Sequence, residues 1–144
     1  MTTKPKFAAQ TAVDVRTNTS RLITSVLAWV IAILLAIAFT LAGGIKLIGV
    51  PGMVQEFALI GLGQWFRYFT GALEVSGAIG LLIPKVRFWA ALQIAGVMVG
   101  ATFTNLTVLH LPVLARVTAI LLALALLLAW LRRAEGRLPS AKSE

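Results

Sequence analysis

Four long stretches of the chain are largely apolar, and short segments rich in glycine, proline or charge separate them. A transmembrane helix needs about 20 apolar residues, and each stretch is about that long or longer. We predict spans at about 22–48, 65–83, 88–109 and 111–131. The connections are short, so consecutive helices should run antiparallel. The pattern therefore predicts an all-α membrane protein, a four-transmembrane-helix antiparallel bundle that spans residues 22–131.

Proline and glycine mark the predicted span boundaries. Gly49-Val50-Pro51-Gly52 ends the first span and Pro84 ends the second, because neither residue type extends a helix well. Pro112 suits the first turn of the fourth helix. Residues 52–64 are a predicted loop, and its apolar side chains would also suit a short helix in the membrane interface.

The two ends of the chain are polar and lie outside the predicted bundle. Residues 1–21 are predicted to form a mobile polar tail, and residues 132–144 a basic tail. Lys and Arg cluster before the first span, between the second and third, and after the fourth, so both termini are expected in the cytoplasm. A cleaved signal peptide with three remaining spans is the alternative, but the uncharged run from Leu22 to Ile45 is longer than a signal's apolar core of about 7–15 residues.

Composition supports a membrane protein and excludes several other classes. Hydrophobic residues make up 59% of the chain and charged residues 12%, against about 45–50% and 25% in soluble domains. The net charge of +8 lies mainly beside the apolar runs, which disfavours nucleic-acid binding. The chain has no cysteine, and it shows no phosphate-binding loop and no nucleophile motif. We therefore predict no catalytic residue and no metal site in this chain alone.

The most informative residues are polar ones inside the spans. Glu74 should lie near the bilayer midplane, where a carboxylate must pair, protonate or line a wet cavity. Arg67 lies seven residues before it on the same helix face, and Gly71 between them could leave a gap for a ligand group. Two alternatives stay open: Arg67 snorkels to the interface, and Glu74 forms a structural ion pair that locks two helices.

Polar side chains from all four spans fall in the predicted outer half of the membrane. This distribution predicts one polar pocket that opens outward, with Lys46 or Arg116 as the partner of Glu74. His110 is also in this half, although a single histidine in a loop is usually only solvated. The candidate ligand-binding residues are Lys46, Arg67, Gly71, Glu74, Asn105 and Arg116.

Small residues at four-residue spacing suggest where helices approach each other, because close backbone contact drives helix association in lipid. The predicted packing stripe of the second span is Ala72, Ser76 and Gly80, and that of the third span includes Gly96 and Gly100. The alternative is that this spacing arises by chance in helices rich in glycine and alanine.

Three segments of the sequence resemble the DoxX-like family of small membrane proteins. They are Leu41-Ala42-Gly43-Gly44-Ile45-Lys46-Leu47, the run from Arg67 to Leu82 with its Gly, Glu and Gly, and the small-residue stretch from Met98 to Leu106. The resemblance implies a four-helix membrane bundle, with Lys46 and Glu74 at motif positions. Some relatives are subunits of a thiosulfate:quinone oxidoreductase, and others are linked to thiol-stress complexes with soluble partners.

These observations lead to three functional hypotheses. The first is a subunit of the bacterial inner membrane that is not catalytic alone and binds a small amphipathic ligand such as a quinone; as part of an enzyme it would belong to a quinone-linked oxidoreductase. The second is a structural or assembly partner of another membrane protein, with no ligand. The third is a small transporter, which four helices could form only as a homo-oligomer.

Overall fold

The computed structural model describes the backbone of residues 4–135 and the side chains of residues 15–133. Over this range the protein is entirely α-helical and has no strand. The five helices are α1 (Lys4–Ile48), α2 (Pro51–Ile60), α3 (Gln64–Leu82), α4 (Arg87–Thr107) and α5 (Pro112–Glu135). The all-helical prediction is thus confirmed.

Helix ends occur where the sequence places proline and glycine. Gly49 follows α1 with a φ of 77°, a left-handed conformation that glycine adopts without steric cost. Pro51 opens α2, and Gly61 closes it with a φ of 80°. Residues 52–60, part of a predicted loop, are therefore a helix, in line with the interfacial helix that their apolar side chains suggested.

Three helices in the described part of the chain are long and apolar enough to cross a membrane. They cover Val15–Ile48, Arg87–Thr107 and Pro112–Arg133. Helix α3, with 19 residues, is not among them; it carries the polar side chains of Gln64, Arg67 and Glu74. Large apolar side chains are exposed around these helices, among them Ile37, Phe103 and Trp130. This surface suits lipid, and the protein is a multi-pass membrane protein.

The two terminal segments differ in what the structure shows of them. Helix α1 begins at Lys4, so the predicted N-terminal tail is helical from that residue and continues directly into the first span. Residues 1–3 lie outside the described part of the chain. Helix α5 extends to Glu135, and the remainder of the predicted basic tail also lies outside it.

The bundle is closely packed in one half and open in the other. Helix α3 packs on both α1 and α4, and α5 packs mainly on α4 and also on α1. The apolar core lies towards the α3–α4 turn, where Leu35, Leu81, Ile94 and Leu128 are almost fully buried. Helix α2 lies at the other end of the bundle and packs on α3. The candidate site occupies this second half.

Candidate ligand-binding site

The ion pair between Lys46 and Glu74 joins α1 to α3. The Lys46 Nζ lies 2.6 Å from Glu74 Oε2 and 2.8 Å from Oε1. The Glu74 side chain is 2% exposed and that of Lys46 is 17% exposed. Of the two partners that the sequence left open for Glu74, the structure therefore selects Lys46.

Gly71 lies at the helix crossing that makes this pair. A Cβ on Gly71 would be 3.1 Å from the carbonyl oxygen of Gly43 and 3.1 Å from Leu47 Cγ. The space beside Gly71, which we expected to admit a ligand group, is filled by α1. The role of Gly71 in this structure is close approach of the two backbones, since any side chain there would push α1 away.

Arg67 is folded back onto the end of α1. Its side chain is buried, donates from Nη1 to the carbonyl oxygen of Lys46 and from Nε to Gln64 Oε1 at 2.8 Å, and stacks over the Tyr68 ring. Free carbonyl groups at a helix C-terminus need donors, and Arg67 supplies one. It therefore holds the backbone that carries Lys46.

A cavity of about 590 Å³ opens beside the ion pair and is lined by residues from all five helices. This volume falls within the range of about 300–1,000 Å³ typical of small-molecule sites. Its walls are mainly apolar, with four phenylalanines at Phe39, Phe57, Phe66 and Phe69. Its polar lining consists of Lys46, Glu56, Thr70, Glu74, Gln93, Thr104, Asn105 and Thr118.

Asn105 has a polar group that the protein leaves without a partner. It lines the cavity and is 5% exposed. Within residues 15–133 its side-chain amide takes part in no hydrogen bond, although its backbone carbonyl accepts one from Leu111. Buried amides almost always have a hydrogen-bond partner, so an unpartnered one that faces a cavity is suited to binding a ligand.

The two predicted packing stripes behave differently. On α3, a Cβ on Gly80 would be 2.7 Å from Ala90 Cβ, and Ser76 is hydrogen-bonded to Gln93 of α4, whereas Ala72 is exposed. On α4, Gly96 and Gly100 line the cavity, and a Cβ on either would meet nothing within 4 Å. The structure thus gives Gly96 and Gly100 no packing role: they widen the cavity.

Besides Arg67, which is bound to the end of α1, two candidates from the predicted polar cluster lie outside the cavity. Arg116 is exposed and is not part of the lining. His110 is exposed in the α4–α5 connection, where its Nδ1 lies 3.1 Å from the carbonyl oxygen of Val108. The position of Arg116 along α5 could be counted from the sequence, but the direction in which its side chain faces could not.

Glu56 and Gln93 line the cavity and were not among the predicted candidates. Glu56 belongs to α2, a segment predicted mainly as a loop. Gln93 Nε2 donates to Leu73 O and Ser76 Oγ, both at 2.9 Å. Both residues could have been found from the sequence. Gln93 is a polar side chain within a predicted span, and Glu56 is the only charged residue between the first two spans.

Comparison with known proteins gives a family but no characterised relative. The model of the DoxX-like family matches residues 30–130. This range includes Lys46, Glu74 and the cavity residues of α2 to α5. Neither the curated proteins nor the solved structures give a significant match. On the family match, which covers most of the chain, the protein belongs to the DoxX-like family.

Proposed function

We propose that this protein is a non-catalytic membrane subunit that binds one small amphipathic molecule, with a quinone as the favoured example, in the cavity beside the Lys46–Glu74 pair. The observation that carries the proposal is the unpartnered Asn105 amide in a mostly apolar cavity of about 590 Å³. In a bundle that binds no ligand, we would expect this amide to be hydrogen-bonded within the protein, or an apolar residue to occupy position 105.

The cavity lining suits a ring with polar substituents and an apolar tail. Asn105 and Lys46 can donate hydrogen bonds to a carbonyl oxygen of the ligand, and Glu74 can exchange a proton with Lys46 or with the ligand. The phenylalanines would pack against the ring. The chain has no cysteine, so electron transfer in a redox complex would depend on the bound molecule or on a partner subunit.

The proposal includes a membrane topology in which α3 is the fourth span. Its 19 residues would extend about 28 Å, close to the roughly 30 Å of the hydrocarbon core. Its charged side chains face α1 and the cavity, where lipid does not contact them. With four spans, the distribution of Lys and Arg favours cytoplasmic termini. The proposal places the protein in a bacterial inner membrane.

The test is to purify the protein from its membrane and identify the bound molecules by mass spectrometry. Gly100→Leu should remove the ligand without disturbing the fold, because its side chain would project into open cavity space. Gly44→Leu is the matched control: a Cβ on Gly44 also meets nothing within 4 Å, but Gly44 does not line the cavity.

A stoichiometric quinone or similar amphiphile in the wild type and in Gly44→Leu, but not in Gly100→Leu, would support the proposal. Glu74→Gln should weaken retention of the same molecule. Ordinary membrane lipid alone in all samples would contradict it and favour the structural or assembly role.

A further inference from the structure

Glu56 gives the cavity a negative charge that no cation in the lining balances. The Lys46 charge is already paired with Glu74, at 2.6 Å and 2.8 Å. Within the side chains that the structure describes, Glu56 has no hydrogen bond and no ion pair. Arg67 and Arg116 do not line the cavity. The lining therefore carries one uncompensated carboxylate.

Helix α2, which carries Glu56, is anchored beside the cavity. Gln64 Nε2 donates to the carbonyl oxygen of Val54 at 3.0 Å, and the rings of Phe57 and Phe66 have centroids 6.0 Å apart. Phe57 is itself buried. Glu56 lies between these two anchored positions, so its backbone is held beside the cavity that its side chain lines.

We infer that the cavity selects its ligand by charge: it prefers an amphiphile with a cationic head group over a neutral one, and a neutral one over an anion. Glu56 is the residue that sets this order. The inference rests on the proposed ligand site and adds a charge order to it, in which a neutral ligand such as a quinone binds less tightly than a cationic amphiphile and more tightly than an anionic one. The unpartnered Asn105 amide can bind the polar head, and a cation, unlike an anion, is attracted to aromatic rings such as the four phenylalanines of the lining.

The charge order can be measured with three probes that share one alkyl chain. We would titrate decyltrimethylammonium, decanol and decyl sulfate into the protein in phosphatidylcholine nanodiscs by calorimetry, with empty nanodiscs as blanks. At a partly buried site, a unit charge should change affinity by about tenfold or more. We therefore expect the cation to bind at least about tenfold more tightly than the anion.

Two variants test whether Glu56 is responsible. Glu56→Gln removes the charge, and the double variant Gln55→Glu, Glu56→Gln moves it to the adjacent exposed position with no change in net charge. Both should lose the preference for the cation and keep decanol binding. Because the double variant retains the total charge, a general electrostatic effect of the protein surface would leave its preference intact.

The outcomes separate this inference from the proposed function. Loss of the preference in both variants supports the inference. Equal binding of all three probes by the wild type, or a preference that persists in Glu56→Gln, overturns it but leaves the cavity as a ligand site. If no probe binds the wild type more than it binds Gly100→Leu, both the inference and the proposed function are overturned.

Discussion

Gly43 of α1 and Gly71 of α3 touch through their backbones. A Cβ on Gly43 would lie 2.8 Å from the carbonyl oxygen of Gly71, and a Cβ on Gly71 would lie 3.1 Å from that of Gly43. This contact lets the two helices approach closely. Lys46 and Glu74 each follow one of these glycines by three residues, and their side chains meet across the same crossing. The close approach of the two helices and the formation of the ion pair therefore depend on each other.

We predict that Gly43→Ala destabilises the bundle by about 1–3 kcal/mol, as overpacking of a tight contact does. The added methyl would meet a backbone carbonyl and Val75 Cγ2 at 2.8 Å, and the carbonyl cannot move aside. Denaturation in mixed dodecyl sulfate micelles would measure the loss. Gly44→Ala is the control and should be neutral or stabilising by up to about 1 kcal/mol.

The Lys46–Glu74 pair should show energetic coupling in a double-mutant cycle. Either single change to Gln leaves the other charge poorly compensated, whereas the double change removes both, so we expect a coupling energy of about 2 kcal/mol. The same cycle between Glu74 and the exposed Arg116 should be additive within about 0.5 kcal/mol. Equal coupling in both cycles would mean that Glu74 responds to overall charge and not to its contact with Lys46.

Arg67 should act as a positioning residue for the end of α1. Arg67→Gln removes a charged donor from the Lys46 carbonyl, which typically costs about 1.5–3 kcal/mol. The amides of Gly49 and Val50, which bond to Ile45 O at 3.2 Å and 3.4 Å, should then exchange faster with deuterium. Tyr68→Phe keeps the ring beneath Arg67 and should leave this exchange unchanged.

The helices were predictable because lipid demands long apolar segments, and proline and glycine fixed their ends. Helix rotation was not predictable. A helix in lipid has no polar outer face, so its sequence shows which residues share a depth but not which neighbour they face. This is why Lys46 and Arg116 looked equivalent as partners of Glu74, although only Lys46 contacts it.

Small residues were ambiguous for a related reason. The four-residue spacing of Gly96 and Gly100 is the same as that of a packing stripe, and only the absence of a facing side chain identifies them as cavity lining. From the sequence, Arg87 is only one of the basic residues between the second and third spans, whereas in the structure it is fully buried at the start of α4.

We predict that Arg87 stabilises the α3–α4 end of the bundle and that its neighbour Lys85 does not. Arg87 Nε donates to Leu81 O at 2.6 Å, and the guanidinium lies 3.8 Å from the centroid of the Trp29 ring. Arg87→Lys should cost about 2 kcal/mol, because an ammonium cannot reproduce the planar stack and the donor geometry. Lys85 lies in the same turn and is exposed, so Lys85→Gln should change the free energy of unfolding by less than about 0.5 kcal/mol.

The proposed four-span topology can be tested by labelling single cysteines from outside the cell. Because the chain has no cysteine, single cysteines can be introduced without removing others. The exposed positions Leu62, Lys85 and His110 lie before α3, between α3 and α4, and between α4 and α5. In intact cells, a membrane-impermeant maleimide should label Leu62→Cys and His110→Cys, and it should label Lys85→Cys only after permeabilisation.

Each alternative topology gives a different labelling pattern. If α3 does not cross the membrane, Leu62→Cys and Lys85→Cys will be labelled from the same side. The inverted orientation will label only Lys85→Cys in intact cells. Labelling every variant again after denaturation shows that each cysteine is reactive, so a missing signal in intact cells reports the side of the membrane and not a buried thiol. The predicted pattern requires both α3 and α4 to cross the membrane, and it places the end of the bundle that holds α2 and the cavity on the outer side.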